Sequence, residues 1–168
     1  LYPEHAYVYH YFSVRGSAGK RQRLSPYMLP DCETNTPLFS PLVYRMATQL
    51  IPLPYRWFFG GKADITHFFN YIVPPGVEGK TIVTVHDMVI RAFPETMRTR
   101  TRAMLRMGLE RSMKRADRIM TISEFSRQEI IKYYPRYEDK IRVVKCGVDL
   151  EKFRPAPQEE IQRVRESL

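Results

Sequence analysis

Hydrophobic and polar positions along this chain fall into two kinds of run. Short stretches rich in β-branched and aromatic residues occur at 6–12 (AYVYHYF), 65–69, 81–86, 119–122 and 141–145. Bounded by Gly, Pro, Asp or Asn, they read as strands. Stretches of helical period separate the last three, and the order strand, helix, strand, helix, strand predicts a parallel sheet with covered faces. Residues 95–115 form the longest helical pattern: Leu105, Leu109, Met113 and Ala116 step by four, four and three and mark one buried face. Ser123 is the predicted N-cap of the next helix, with Glu124 favoured in its first turn by the helix dipole. Pro135 should end that helix, because the residue before a proline disfavours helical backbone.

The N-terminal part is patterned less sharply. Residues 38–50 have helix-like apolar spacing, closed by Pro52 and Pro54. Residues 15–36, where Arg15, Lys20, Arg21 and Arg23 stand among Gly, Ser and Pro, read as a basic loop. The aromatic cluster Tyr55 to Phe59 before Gly60-Gly61 is either core or an exposed apolar patch. A turn carrying Pro74, Pro75, Gly76 and Gly79 joins the strand candidates at 65–69 and 81–86.

Length and composition narrow the class. A chain of 168 residues is one domain by length and can bury a real core; 43% apolar residues without low-complexity tracts fit a globular protein. No run of 18 uncharged apolar residues exists, so no bilayer-spanning helix is expected. The opening, with Pro3, Glu4 and His5, does not read as a signal peptide. Cys32 and Cys146 lie far apart without metal-ligand spacing and read as reduced, structurally minor thiols of a cytosolic protein.

Three strand runs each lead into a polar signature: TIVTVHD ends at His86-Asp87, RIMTISEFSR opens a helix at Ser123, and KIRVVKCGVD closes on Gly147. In open parallel sheets, ligands bind outside the carboxyl ends of strands, where all three signatures fall. Together they resemble the N-terminal domain of GT-B glycosyltransferases of the glycosyltransferase 4 type. That family's usual text is a strand ending in His-Asp, an SEFSR-like turn and a strand closing on Asn-Gly-Val-Asp. DITHFFNYIVP at 64–74 resembles the family's short strand that ends in a His and an Asn-Tyr before proline. Residues 1–13 resemble the link from the first helix into the second strand. Four motifs in order carry the resemblance over most of the chain. Cys146 departs from it, standing where the family has Asn.

The resemblance implies an α/β, Rossmann-like three-layer domain with a mainly parallel sheet, one half of a GT-B fold. Residues 1–154 would be that domain, lacking its first strand, Gly-rich turn and first helix, and 155–168 the interdomain linker and the start of a helix. A second domain holding most of the nucleotide-sugar site is then expected beyond this chain, which alone would transfer no sugar. The implied function is acceptor-side: a retaining enzyme moves a hexosyl group from a nucleotide-sugar to a glycan or lipid-linked acceptor, in cell-surface polysaccharide synthesis. No cofactor or metal is expected, the nucleotide-sugar being a substrate.

Site residues follow from the motifs. The resemblance implies that His86 contacts the transferred sugar, and Asp87 is placed beside it as a catalytic candidate that can orient the imidazole or accept an acceptor hydroxyl. Both can also merely cap the strand end by bonding nearby amides. His67 and Asn70 end the neighbouring strand and are candidates for lining the acceptor cleft, although a His among Phe68, Phe69 and Tyr71 also suits packing. Ser123 is a helix cap, and the same helix N-terminus is an anion site for phosphate or carboxylate. Gly147 is expected to allow positive φ where the strand turns. Other chemistries find no motif: there is no GxGxxG, GxxxxGK[ST], HExxH, CxxC or GxSxG.

Charge adds one further expectation. Residues 95–118 carry eight Arg or Lys against Glu95, Glu110 and Asp117, more than half of the net +9. Arg98, Arg102 and Arg106 recur at i, i+4 and i+8, a stripe of like charge that costs a few tenths of a kcal/mol per pair in an isolated helix. Three readings are open: a solvated face, an anionic membrane surface, or nucleic acid. No helix-turn-helix, zinc-finger or RNP pattern supports nucleic acid. The resemblance favours the membrane, with a cytoplasmic protein attached peripherally at its inner face. The rival to an enzyme is a non-catalytic basic α/β module that binds anionic lipid or nucleic acid.

Overall fold

The computed structural model describes residues 4–11, 19, 22–23, 33–35 (backbone only), 44, 53–60 and 63–167. The expected helix at 38–50, apart from Tyr44, lies outside the described residues, as do Cys32, Arg15, Lys20 and Arg21. The described elements are β1 (Val8–His10), β2 (Glu33–Asn35), α1 (Arg56–Phe59), β3 (Ile65–Phe68), β4 (Lys80–Thr84), α2 (Val89–Ala92), a 3-10 turn (Pro94–Thr96) and α3 (Thr99–Arg115). They continue with β5 (Arg118–Thr121), α4 (Glu124–Tyr133), a second 3-10 turn (Pro135–Lys140), β6 (Ile141–Val143) and α5 (Gln158–Glu166).

Strands β3, β4, β5 and β6 lie in that order in one sheet, every pair parallel, with Val83 opposite Ile119 and Ile119 opposite Ile141. The fold is therefore the Rossmann-like α/β arrangement that the apolar runs imply. Two successive crossovers, β4–α3–β5 and β5–α4–β6, step the same way across the sheet, so the usual right hand puts both helices on one face. One core joins them: Val83, Val85, Ile119 and Ile141 pack with Leu105, Leu109 and Met113 of α3 and Ile130 of α4. The predicted stripe of α3, through Ala116, is buried as expected.

Buried polar groups pin α3 to the strand ends. Ser112 Oγ accepts the Val73 N–H (2.9 Å) and donates to the Gly108 carbonyl (2.7 Å), while Arg115 donates to the Val73 carbonyl (3.1 Å). Just before β5, Asp117 accepts from the Thr81 N–H (2.9 Å) and from Lys80 Nζ (3.0 Å). The first of these bonds, then the second, holds the Asp117 carboxyl below its ordinary range. Lys140 reaches the carbonyl of Ala116 (2.7 Å) at the C-terminus of α3, where a cation offsets the helix dipole.

Several expectations need correction. Within 15–36, residues 33–35 are not loop but β2, which pairs in parallel with β1; the two form a separate sheet among the described residues. Of Glu-Thr-Asn only Thr34 favours a strand, so pairing with β1 imposes the conformation. The helix expected over 95–115 begins only at Thr99. Pro94 opens a 3-10 turn, Met97 is extended, and Arg98 is the N-cap. The aromatic cluster is both things at once: Tyr55 and Phe59 are buried against Tyr44 and Phe68, while Trp57 on the far side of α1 is 66% exposed. Gly76 and Gly79 take positive φ (73° and 78°) in the β3–β4 turn, where a Cβ would strike the carbonyls of Leu53 and Ala63.

Candidate functional site

The carboxyl ends of β3, β4 and β5 converge on His86. Beyond Thr84 the chain stays extended through Val85, whose N–H donates to the Met120 carbonyl (2.8 Å), and this delivers His86 to the sheet edge, half-buried. The imidazole Nε2 lies 2.9 Å from the Phe69 carbonyl oxygen. A carbonyl only accepts, so Nε2 carries the proton and in the neutral ring Nδ1 is left as an acceptor. Tyr71 meets the same ring edge to face, with centroids 5.7 Å apart. The imidazole is thus fixed by two residues of the β3 end.

From the other side, α4 holds the backbone of His86. Ser123 caps the helix as predicted, accepting the Ser126 N–H at 3.1 Å. Its hydroxyl also donates to Ser126 Oγ (3.0 Å), and Ser126 Oγ donates to the His86 carbonyl (2.9 Å). The positive end of α4 therefore sits beside His86, where negative charge on a ligand is favoured. Tyr134 ends the helix before Pro135, as expected.

Asp87 is exposed and accepts from the Val89 N–H (3.1 Å), which closes an Asx turn at the start of α2. Burial, then the nearby Asp87 charge, pushes the Tyr71 phenol above its ordinary pKa. Tyr71 is the one described non-glycine residue with positive φ (51°). Such a backbone costs about 1–3 kcal/mol and collects at functional sites. Its N–H donates to the Thr84 carbonyl (3.0 Å), which holds the strained turn against β4.

The remaining predicted residues separate. Asn70 is exposed beside Phe69 and Tyr71 in the same turn. His67 sits back within β3, its Nε2 2.8 Å from Thr84 Oγ1 and its ring 4.1 Å from that of Phe69. Burial lowers its pKa, so the ring is neutral and already has a partner. Gly147 follows β6 in an exposed segment, and its φ is not positive. No tight turn occurs there and a Cβ would meet nothing, so the geometric need expected of this glycine is absent. Exposed Cys146 precedes it.

Of the basic stripe, only Arg102 and Arg106 act together. They line a cavity of about 210 Å³ between α2, α3 and the end of α4, and the third arginine there is Arg91. Arg98, at the N-cap, is not part of it.

Two residues at the strand ends were missed in the sequence. Ser126 stands at the third helical position of SEFSR, where a hydroxyl can either close the cap or reach outward. Tyr71 was visible only as the second residue of Asn-Tyr, and its left-handed backbone has no signature in residue type. Among comparisons with known proteins, a family model described as Glycosyltransferase Family 4 matches residues 7–152. No curated protein matches the chain.

Proposed function

From the premise that this chain belongs to glycosyltransferase family 4, we propose that it is the acceptor-side domain of a retaining enzyme. That enzyme would carry a hexosyl group from a nucleotide-sugar to a glycan or lipid-linked acceptor, in cell-surface polysaccharide synthesis. The observation that carries the proposal is the setting of His86. Its Nε2–H is engaged by the Phe69 carbonyl, so Nδ1 is left as an acceptor for a sugar hydroxyl. The N-terminus of α4 beside it favours a phosphate group.

In transfer, the bond from the anomeric carbon to the phosphate oxygen breaks and its electron pair stays with the departing diphosphate. The acceptor oxygen bonds to that carbon, and its proton passes to the departing diphosphate oxygen that has kept the electron pair. On this chain, His86 would orient the transferred sugar, and Ser126 and Phe69 would fix His86. Asp87, held by the Val89 amide, would be the acceptor for a hydroxyl of the incoming acceptor. Most of the groups that stabilise the leaving diphosphate are ascribed, through the family likeness, to a second Rossmann-like domain.

Steady-state transfer by the whole protein, with UDP- and GDP-sugars and lipid-linked or glycan acceptors, tests this reading. Loss of one hydrogen bond to the transferring sugar costs about 1–3 kcal/mol, so His86→Ala should lower kcat/KM by roughly ten- to a hundredfold. The melting temperature should fall only slightly, since the ring is half-buried. Unchanged transfer by His86→Ala would remove His86 from the site.

Attachment to an anionic bilayer is a separate proposal. No helix among the described residues is long and apolar enough to cross a membrane. What supports peripheral contact is the arginine cavity on the helical layer.

A further inference from the structure

We infer that the cavity formed by Arg91, Arg102 and Arg106 is a second anion site that takes a phosphate group carried on an apolar body. It is built on the helices and shares no lining residue with the strand ends around His86, so the inference stands whether or not that reading holds.

The charge comes from two elements. Arg102 and Arg106 lie one helical turn apart on α3, and Arg91 projects from α2. Arg91 is held in place: its Nε donates to Tyr134 Oη (2.9 Å), and its guanidinium stands 5.2 Å from the centre of the same ring. Other arginines nearby find acceptors. Arg136 pairs with Glu110, Arg127 with Glu124 and Glu138, and Arg115 with the Val73 carbonyl. Arg102 and Arg106 have neither a carboxylate nor a carbonyl partner for their guanidinium groups among the described residues. Two like charges at i and i+4 repel, and a third faces them across the cavity. A phosphate dianion would relieve all three, because the guanidinium fork matches two phosphate oxygens at once.

The rest of the lining says what the phosphate is attached to. Ile90 (7% exposed) and Leu105 (2% exposed) form an apolar wall with Pro94. Phe93, next to Pro94, is 59% exposed. A free inorganic ion would gain nothing from the exposed Phe93 side chain beside this wall, whereas an amphiphile would cover it. The volume of about 210 Å³ lies below the ~300–1,000 Å³ of sites that engulf a whole drug-sized ligand, and suits a headgroup with its first apolar atoms. The two possible sources are a lipid in a bilayer and a soluble phosphorylated amphiphile.

Titration calorimetry with dihexanoyl phosphatidate below its micelle concentration reads the cavity directly. Wild-type protein should bind it, and bind inorganic phosphate more weakly. Arg102→Gln/Arg106→Gln removes two charge-assisted contacts and should weaken binding about tenfold or more, while Arg98→Gln should leave it unchanged. Because both side chains are solvent-accessible, melting curves of these variants should coincide with wild type. Co-sedimentation with phosphatidylcholine vesicles, with and without phosphatidate, identifies the source. Binding to the acidic vesicles that is lost in the double variant and kept in Arg98→Gln supports a bilayer lipid. Binding of the short-chain lipid without vesicle binding supports a soluble amphiphile. Three results would overturn the inference: no binding of short-chain phosphatidate, equal weakening by Arg98→Gln, or equal affinity for inorganic phosphate.

Discussion

At the scale of single residues, this molecule is governed by where a few polar atoms find partners. Ser112 is fully buried, and its hydroxyl is the partner of the Val73 N–H, between the helix layer and the turn that leads out of β3. Ser112→Ala leaves that N–H without an acceptor in a water-free place. It should cost about 1–3 kcal/mol in urea unfolding, far more than the methyl-sized change suggests. Asp117 behaves differently because water reaches it. Its folded pKa is lowered, so its stabilising contribution is present above the unfolded value of about 3.9 and is lost as pH falls through the folded one. Wild type should therefore exceed Asp117→Asn in stability at neutral pH by a margin kept below about 1 kcal/mol by solvent screening. The margin should close below pH ~4, and thermal melts of both proteins across pH 2–7 measure it. A gap that widens on acidification would contradict the assignment. None of these partnerships was legible in the sequence, since a serine in a helix pattern and an aspartate between helix and strand each have many uses. His86 was legible because its strand and its motif agree.

At the scale of elements, legibility followed the strength of the local pattern. The runs at 65–69, 81–86, 119–122 and 141–145 became β3 to β6 because β-branched residues bounded by turn formers leave few alternatives. The N-cap at Ser123 held for the same reason, a side chain whose chemistry fits one place. β2 was hidden: its three residues are polar, and only the neighbouring β1 makes them a strand. α3 starts four residues later than the expected Glu95, because Pro94 fixes φ and opens a 3-10 turn and Met97 is then extended, so the helix is capped only at Arg98. That displacement has a functional consequence. With Arg98 at the N-cap, the row of three arginines breaks, and the cavity takes Arg91 from α2 as its third member.

At the scale of the whole molecule, the order β3-β4-β5-β6 explains both the site and the distribution of stability. A parallel sheet sends every strand out at the same edge, so His86, Ser123 and Tyr71 meet although they lie in separate segments of sequence. β4 and β5 each have a strand on both sides, and α3 and α4 cover one face of both. Their hydrogen bonds can open only when the core through Val83, Ile119 and Leu109 comes apart. β1, by contrast, is three residues long and pairs with β2 alone among the described residues. A pair that short stabilises itself poorly, and it leans on His10, which bonds Tyr55 Oη (2.9 Å) and stacks on Phe59. Native-state hydrogen exchange should therefore find the slowest amides in β4 and β5, opening with the free energy of global unfolding. The β1 amides should exchange through a smaller local opening. His10→Ala should accelerate exchange in β1 while leaving β4 and β5 unchanged. Protection in β1 equal to that in β4 would mean that the two sheets unfold as one cooperative unit, against the separate ladders seen here.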